Sequence, residues 1–122
     1  MKEFSRSQRV AEQLQREIAL ILQREIKDPR LGFVTVSGVD VSKDFSHANV
    51  FFTLLDSSED KRAEALDVLN HVSGFIRHLL GKSLKMRIIP QLHFKYDVSL
   101  EQGTALSELI IKANKDQGNT DG

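Results

Sequence analysis

The spacing of apolar residues changes from a helical to a strand-like period along this chain, and this change restricts the possible folds. Helical spacing is found first, at Val10, Leu14, Ile18, Ile21 and Leu22. Residues 31–42 and 48–55 instead alternate apolar with polar side chains, as strands with one buried face do. Helical spacing resumes from about residue 61, and alternation returns in QLHFKYDV at residues 91–98. The sequence therefore predicts an α+β domain.

Local signals predict where the first elements begin and end. Ser5 followed by Gln8 fits a capping box at the start of the first helix. Asp28-Pro29 is expected to end that helix, because the residue before a proline avoids the helical conformation. The alternation slips by one residue at Ser37-Gly38, which predicts a β-bulge in the first strand. The segment SKDFSH predicts a loop of about five residues that joins the first two strands into a hairpin.

The second helical segment contains a glycine in its middle. We expect Ser73-Gly74 to interrupt the helix, so that backbone N–H groups and a positive helix N-terminus face outward, where they bind phosphate well. The alternative is a glycine tolerated on a close-packed helix face, at a cost of about 1 kcal/mol relative to alanine. Gly81 is expected to be the C-cap residue of the second half.

These elements predict one domain over residues 1–112, in the order helix, strand, strand, helix, kink, helix, strand. A three-stranded sheet with the helices packed on one face accommodates that order, and the other face of the sheet would be partly open. Ser99 and Gln102 could cap a short last helix that runs through Ile111. Residues 113–122 are polar and glycine-rich and are expected to form a flexible tail.

The composition excludes several classes of protein. The chain has no cysteine, so it forms no disulfides and has no thiolate nucleophile or cysteine-ligated metal site. Its first residues, MKEFSRSQ, lack the apolar core of a signal peptide, and no apolar run approaches the roughly 20 residues of a membrane span. A cytoplasmic protein with no membrane association is therefore expected.

The charges of this neutral chain are unevenly distributed, although it has 17 basic and 17 acidic residues. Residues 31–60 contain one lysine and five acidic residues. Residues 68–96 contain five Lys or Arg residues and no acidic residue at all. Such blocks predict a molecule with a basic and an acidic face, although uneven surface charge is also common in small proteins.

The acid-free segment and the expected helix break together predict a surface that contacts a nucleic-acid backbone. The residues assigned to this surface are Ser73, Gly74, Arg77, Lys82, Lys85 and Arg87. Weaker candidates are Arg6, Arg9 and Arg30, because exposed helix arginines are more often simply solvated. Most aromatic residues fall at core positions, with Phe51 as the exception, so recognition of RNA shape and backbone is expected more than base stacking.

No catalytic constellation is found in the sequence. There is no G-x-S-x-G elbow, no complete phosphate-binding loop and no G-x-G-x-x-G motif, and Gly81-Lys82-Ser83 matches only the end of a phosphate loop. The four histidines, His47, His71, His78 and His93, lack metal-ligand spacing. No enzymatic activity, metal or cofactor is therefore predicted.

Three segments of the sequence, taken in order, resemble those of a known protein family. They are FSRSQRVAEQLQREIALILQREIKDPRLGFVTVSGVDVS, then SGFIRHLLGKSLKMRIIPQLHFKYD, and then SLEQG. Over about residues 3–112 the chain resembles bacterial ribosome-binding factor A. The resemblance implies a KH-like fold of type II for the domain at residues 1–112. In that family the usual G-x-x-G loop is replaced by an A-x-G kink, and here Val72 occupies the alanine position.

The resemblance also implies a function. The family has no enzymatic activity, associates with free 30S ribosomal subunits and their precursors, and supports late maturation of 16S rRNA near its 5′ end and growth in the cold. The expected partners are therefore 16S rRNA and, in addition, ribosomal proteins of the small subunit. The protein is expected to bind them as a monomer. A competing hypothesis is a protein-interaction module whose acidic segment, residues 31–60, docks on a basic protein. An enzyme is a distant third hypothesis.

Overall fold

The computed structural model of the protein describes residues 6–99 of the chain. Its elements, in chain order, are α1 (Arg6–Arg24), β1 (Val34–Val41), β2 (His47–Leu54), α2 (Glu59–Ser83) and β3 (Gln91–Tyr96). The sheet has the order β1-β2-β3, with β1 antiparallel and β3 parallel to β2. The predicted α+β class is confirmed. The predicted cap at Ser5, the last helix through Ile111 and the C-terminal tail lie outside the described residues.

The core lies between the two helices and one face of the sheet. Leu14 and Ile18 from α1, Val50 and Phe52 from β2, and Ile76 from α2 are all fully buried in one cluster. Alternate residues of β2 face the other way and are only half-buried, which leaves the outer face of the sheet open to solvent. The predicted layer of helices on one sheet face is thus confirmed.

The predicted β-bulge is present in β1. Val36 pairs with Phe52 of β2 and Gly38 pairs with Phe51, so Ser37 has no partner of its own on β2. The extra residue keeps the valines on both sides of the bulge packed against the core.

The hairpin loop consists of residues 42–46, as its sequence predicts. One carboxylate oxygen of Asp44 accepts hydrogen bonds from the hydroxyl of Ser42, at 2.8 Å, and from the hydroxyl and N–H of Ser46, at 2.7 and 3.1 Å. These bonds, that of the Ser46 hydroxyl foremost, lower the pKa of Asp44 to about 2. The Asp44 carboxylate therefore belongs to the loop's own hydrogen-bond network.

The second helix is continuous, so the prediction that Ser73-Gly74 interrupts it is wrong. α2 runs for 25 residues, from Glu59 with Ser58 as its N-cap to Ser83, and Leu84 is its C-cap. Gly81, the predicted C-cap, lies inside the helix. The cause is tertiary packing, because α2 residues on both sides of Gly74 are buried in the core and outweigh the small helix penalty of one glycine.

The first helix also ends at a different place from the one predicted. α1 stops at Arg24, a few residues before Asp28-Pro29. The residues that follow lead into a turn in which the N–H of Leu31 bonds to the carbonyl of Asp28 at 3.0 Å. Gly32 then adopts a left-handed conformation with φ of 65°, which favours glycine.

The continuous helix gives a direct expectation for Gly74. A Cβ added at Gly74 would meet no atom within 4 Å, so Gly74→Ala should raise the free energy of unfolding by up to about 1 kcal/mol. Gly32→Ala is the matched control with the opposite sign, because its φ of 65° strains any side chain. Urea denaturation of both variants measures the two effects. A destabilised Gly74→Ala protein would contradict the continuous helix.

Candidate nucleic-acid interface

The most exposed cluster of predicted contact residues lies where α2 ends and leads into β3. We call residues 82–90 the basic connection. Its cations Lys82, Lys85 and Arg87 are exposed, whereas Leu84 is 5% exposed and Pro90 is fully buried. The buried residues anchor the connection to the core, and the three cations before and between them are exposed to solvent. This alternation forms a compact positive surface that a polyanion can reach.

Arg77, another predicted contact residue, has a different role in the structure. Its Nε donates a hydrogen bond to the carbonyl of Pro90 at 3.0 Å, and one of its terminal nitrogens donates to the carbonyl of Ile89 at 2.9 Å. The side chain is half-buried. Arg77 therefore holds the end of the basic connection against α2, and two of its N–H donors are directed at the backbone rather than at solvent.

Ser73 and Gly74 lie within α2, one turn before Arg77. The hydroxyl of Ser73 donates to the carbonyl of Asn70 at 3.0 Å, so it is engaged by the helix itself. Because the helix continues through both residues, their N–H groups belong to the helix and form no separate phosphate site there. What Gly74 offers a partner is an exposed patch of helix without a side chain.

The three weaker candidates for RNA contact lie in two separate parts of the structure. Arg6 and Arg9 are exposed in the first turns of α1, and the guanidinium carbon of Arg6 lies 5.8 Å from the centre of the Phe45 ring in the hairpin loop. Arg30 instead follows α1 and forms an ion pair with Asp28, at 2.8 Å. Hydrogen bonding to Arg30 lowers the pKa of Asp28, and the same bond raises the pKa of Arg30.

The strand topology brings some of the predicted contact residues together at one end of the sheet. Gln91, which directly follows the basic connection, donates its N–H to a carbonyl of the hairpin loop at 2.9 Å. Arg6 also contacts the hairpin loop, through Phe45. The basic connection and the start of α1 therefore lie at one end of the sheet, which we call the loop end. Arg30 lies towards the other end, where β1 begins.

Sequence reasoning missed a pair of histidines on the open face of the sheet. Nδ1 of His47 and Nε2 of His93 are 2.9 Å apart, and the two rings stack with their centres 5.1 Å apart. Phe51, half-buried, lies on the same face, where it pairs with Lys95. The alternation of both strands could have placed these residues on one face, but their 46-residue separation hid the contact.

The described part of the chain has neither a cluster of metal-binding side chains nor a membrane-spanning helix. Across residues 6–99, no group of three or more His, Asp or Glu side chains is arranged to hold a metal ion. Within the same residues, neither helix is long and apolar enough to cross a membrane. The geometry instead provides a fixed, exposed set of cations, which suits contact with phosphate groups.

Comparison with known proteins places the chain in a family. The family model described as ribosome-binding factor A matches residues 6–110. The ribosome-binding factor A of Stutzerimonas stutzeri is 54% identical over 114 residues, which are 92% of this chain and 88% of that protein.

Solved structures agree with that match. The crystal structure of ribosome-binding factor A from Thermus thermophilus superposes with a TM-score of 0.66 at 30% identity and covers 74% of this chain and 93% of that one. A homology model of the Thermus factor, fitted into a cryo-electron microscopy map of its 30S complex, gives a TM-score of 0.61 at 31% identity, with 72% and 91% covered. The chain belongs to the ribosome-binding factor A family.

Proposed function

We propose that this protein binds free 30S ribosomal subunits and their precursors through 16S rRNA and acts as an assembly factor. Its role would be in late maturation of the small subunit, including processing of the 5′ end of 16S rRNA and adaptation to cold. The observation that carries this proposal is the family match, which covers both helices and the whole sheet. The Thermus relative, at 31% identity, is described in a 30S complex.

The charge distribution supports contact through RNA rather than through protein alone. The basic connection presents Lys82, Lys85 and Arg87 to solvent on a rigid anchor, and residues 68–96 contain no acidic side chain that would repel phosphate. The acidic segment at residues 31–60 offers a competing surface. Its Asp44, however, is engaged by two serines of its own loop, which favours the basic surface.

The fold is proposed to be KH-like of type II, with residues 1–112 as a single RNA-binding domain and residues 113–122 as a flexible tail. The order helix, strand, strand, helix, strand and the parallel pairing of β3 with β2 are compatible with that assignment. A cytoplasmic monomer without catalytic activity fits the proposed role, because binding to a ribosomal subunit requires only a complementary surface. Ribosomal proteins of the small subunit would be secondary partners.

Co-sedimentation tests the proposal. The protein is centrifuged with purified 30S subunits, 50S subunits and whole ribosomes over a salt series. We expect it to pellet with free 30S subunits only, and its affinity to fall steeply with salt, because each phosphate contact contributes about 0.9 to the logarithmic salt slope on duplex DNA and somewhat less on single strands. No association with 30S subunits at low salt would refute the proposed function. A binding affinity that does not change with salt concentration would instead indicate contact with a protein of the subunit.

A further inference from the structure

The open face of the sheet carries polar and aromatic side chains along β2 and β3. Alternate residues of the two strands face away from the core, and the parallel register places six of them in three pairs: His47 with Gln91, Asn49 with His93, and Phe51 with Lys95. We call these residues the open-face surface. All are exposed except Asn49 and Phe51, which are half-buried. Neither strand contains an acidic residue, so this surface suits an anionic partner.

Two of the rings on this surface are held together. The imidazoles of His47 and His93 stack with 27° between their planes, and the hydrogen bond between them fixes the orientation of both rings although they are exposed. A ring that is already ordered loses little conformational entropy when a base stacks on it. Histidine is among the side chains on which RNA-binding proteins stack unpaired bases.

A third ring, that of Phe51, lies one pair further along the surface. Its partner on β3 is Lys95, and on its other side it pairs with Gly38 of β1, which has no side chain. A Cβ added at Gly38 would meet no atom within 4 Å, so the space beside the ring is open. A base can therefore reach the Phe51 ring, and Lys95 supplies a cation for the adjoining phosphate.

The open-face surface begins at the loop end, where Gln91 directly follows the basic connection. At its far end, the hydrogen bond from the Ser37 hydroxyl to the Asp97 carboxylate crosses β2 and places a negative charge there. Another carboxylate, that of Asp40, borders the surface on the side of β1. These charges direct a polyanion along β3, between the basic connection and Lys95.

We infer that the open-face surface binds unpaired bases of single-stranded RNA and continues the phosphate contacts of the basic connection. This inference rests on the proposed function, because it assigns a second part of the same RNA contact. The cores of protein–protein interfaces are enriched in large apolar and aromatic residues, whereas Phe51 is the one large apolar side chain among the six. Sequence reasoning favoured backbone recognition over stacking, since only the fold brings His47 to His93.

Nuclear magnetic resonance of the nitrogen-15-labelled full-length chain tests the inference with two matched probes. One is single-stranded hexaadenylate RNA, and the other is a hexamer of the same ribose-phosphate backbone without bases. Their phosphates are the same, so only contacts with bases differ. We expect the amide signals of Lys85 and Arg87 to shift with both probes, and those of His93 and Phe51 to shift with hexaadenylate alone. Equal shifts of His93 with both probes, or no shift with either, would overturn the inference.

Two substitutions at one position test stacking on the 30S subunit. His93→Ala removes a ring and should lower the affinity for 30S subunits roughly 10-fold, whereas His93→Phe keeps a ring and should retain most of the affinity. Neither variant removes a phosphate contact, so the salt slope should stay unchanged. His71→Ala, at an exposed position of α2, is the control and should bind normally. A lower salt slope for His93→Ala would mean that this imidazole contacts phosphate, and would count against stacking.

This inference and the proposed function fail in different ways. A protein that binds 30S subunits with unchanged affinity after His93→Ala retains the proposed function, but the open-face surface is then not part of its RNA contact. A protein that does not bind 30S subunits at all loses the proposed function. The two hexamers then still decide whether the open-face surface binds bases.

Discussion

Replacing Lys82, Lys85 and Arg87 together by Glu is expected to abolish binding to 30S subunits at moderate salt. These side chains are exposed and make no contact on which the core depends, so the fold should be retained. If each cation neutralises one phosphate, losing all three weakens binding roughly 100- to 1,000-fold near 0.1 M salt and lowers the salt slope by about 2 to 3. Co-sedimentation over a salt series measures both quantities.

The matched control reverses the same number of charges elsewhere on the molecule. Arg16, Arg24 and Lys27 are also exposed, and all three belong to α1 or directly follow it. Their triple replacement by Glu changes the net charge equally but leaves the basic connection intact. We expect it to lower affinity only slightly. Equal losses in both triple variants would mean that total charge, and not the basic connection, determines binding.

Arg77→Lys is expected to lower the free energy of unfolding by about 2 kcal/mol although it preserves the charge. The guanidinium donates to two backbone carbonyls at once, at Ile89 and Pro90, and a lysine ammonium cannot reproduce that planar pair of bonds. The melting temperature should fall by roughly 10 °C. Thermal unfolding and urea denaturation measure the change.

The same variant separates support of the binding surface from direct contact with RNA. Below its melting temperature, Arg77→Lys should bind 30S subunits with nearly normal affinity, because the charge remains and the basic connection still carries its cations. Arg9→Lys, at an exposed position of α1, is the control and should change stability by less than about 0.5 kcal/mol. A fully stable Arg77→Lys protein that no longer binds would make Arg77 a direct contact.

Features governed by neighbouring residues were predictable from the sequence. The bulge at Ser37 and the five-residue hairpin loop follow from a slip in alternation and from a cluster of turn-forming residues, which act over a few positions. The exposure of Lys85 and Arg87 also follows from a local pattern, because they alternate with apolar residues in the basic connection. Their contact with RNA stays a prediction.

Features governed by distant residues were not predictable in this way. The break at Gly74 was inferred from local helix propensity, but burial of helix residues on both sides of the glycine decides the outcome. The two carbonyl partners of Arg77 lie 12 and 13 residues away and are brought to it only by the turn of the chain after α2. The sequence shows a positive charge at position 77, but it does not show that this side chain bonds to the backbone just before β3.

The bulge in β1 marks the one position at which this strand can lose a residue without turning over. Val36, Gly38 and Val39 pair with the consecutive residues Phe52, Phe51 and Val50, so deleting the unpaired residue at position 37 would leave a regular strand in the same register. Val39 and Val41 would then still face the core, and the hydrogen bond from the Ser37 hydroxyl to Asp97 would be lost. Deleting a paired residue elsewhere in β1 would instead move the residues that follow to the opposite face. Among relatives, a one-residue difference in the length of this strand should therefore fall at the bulge.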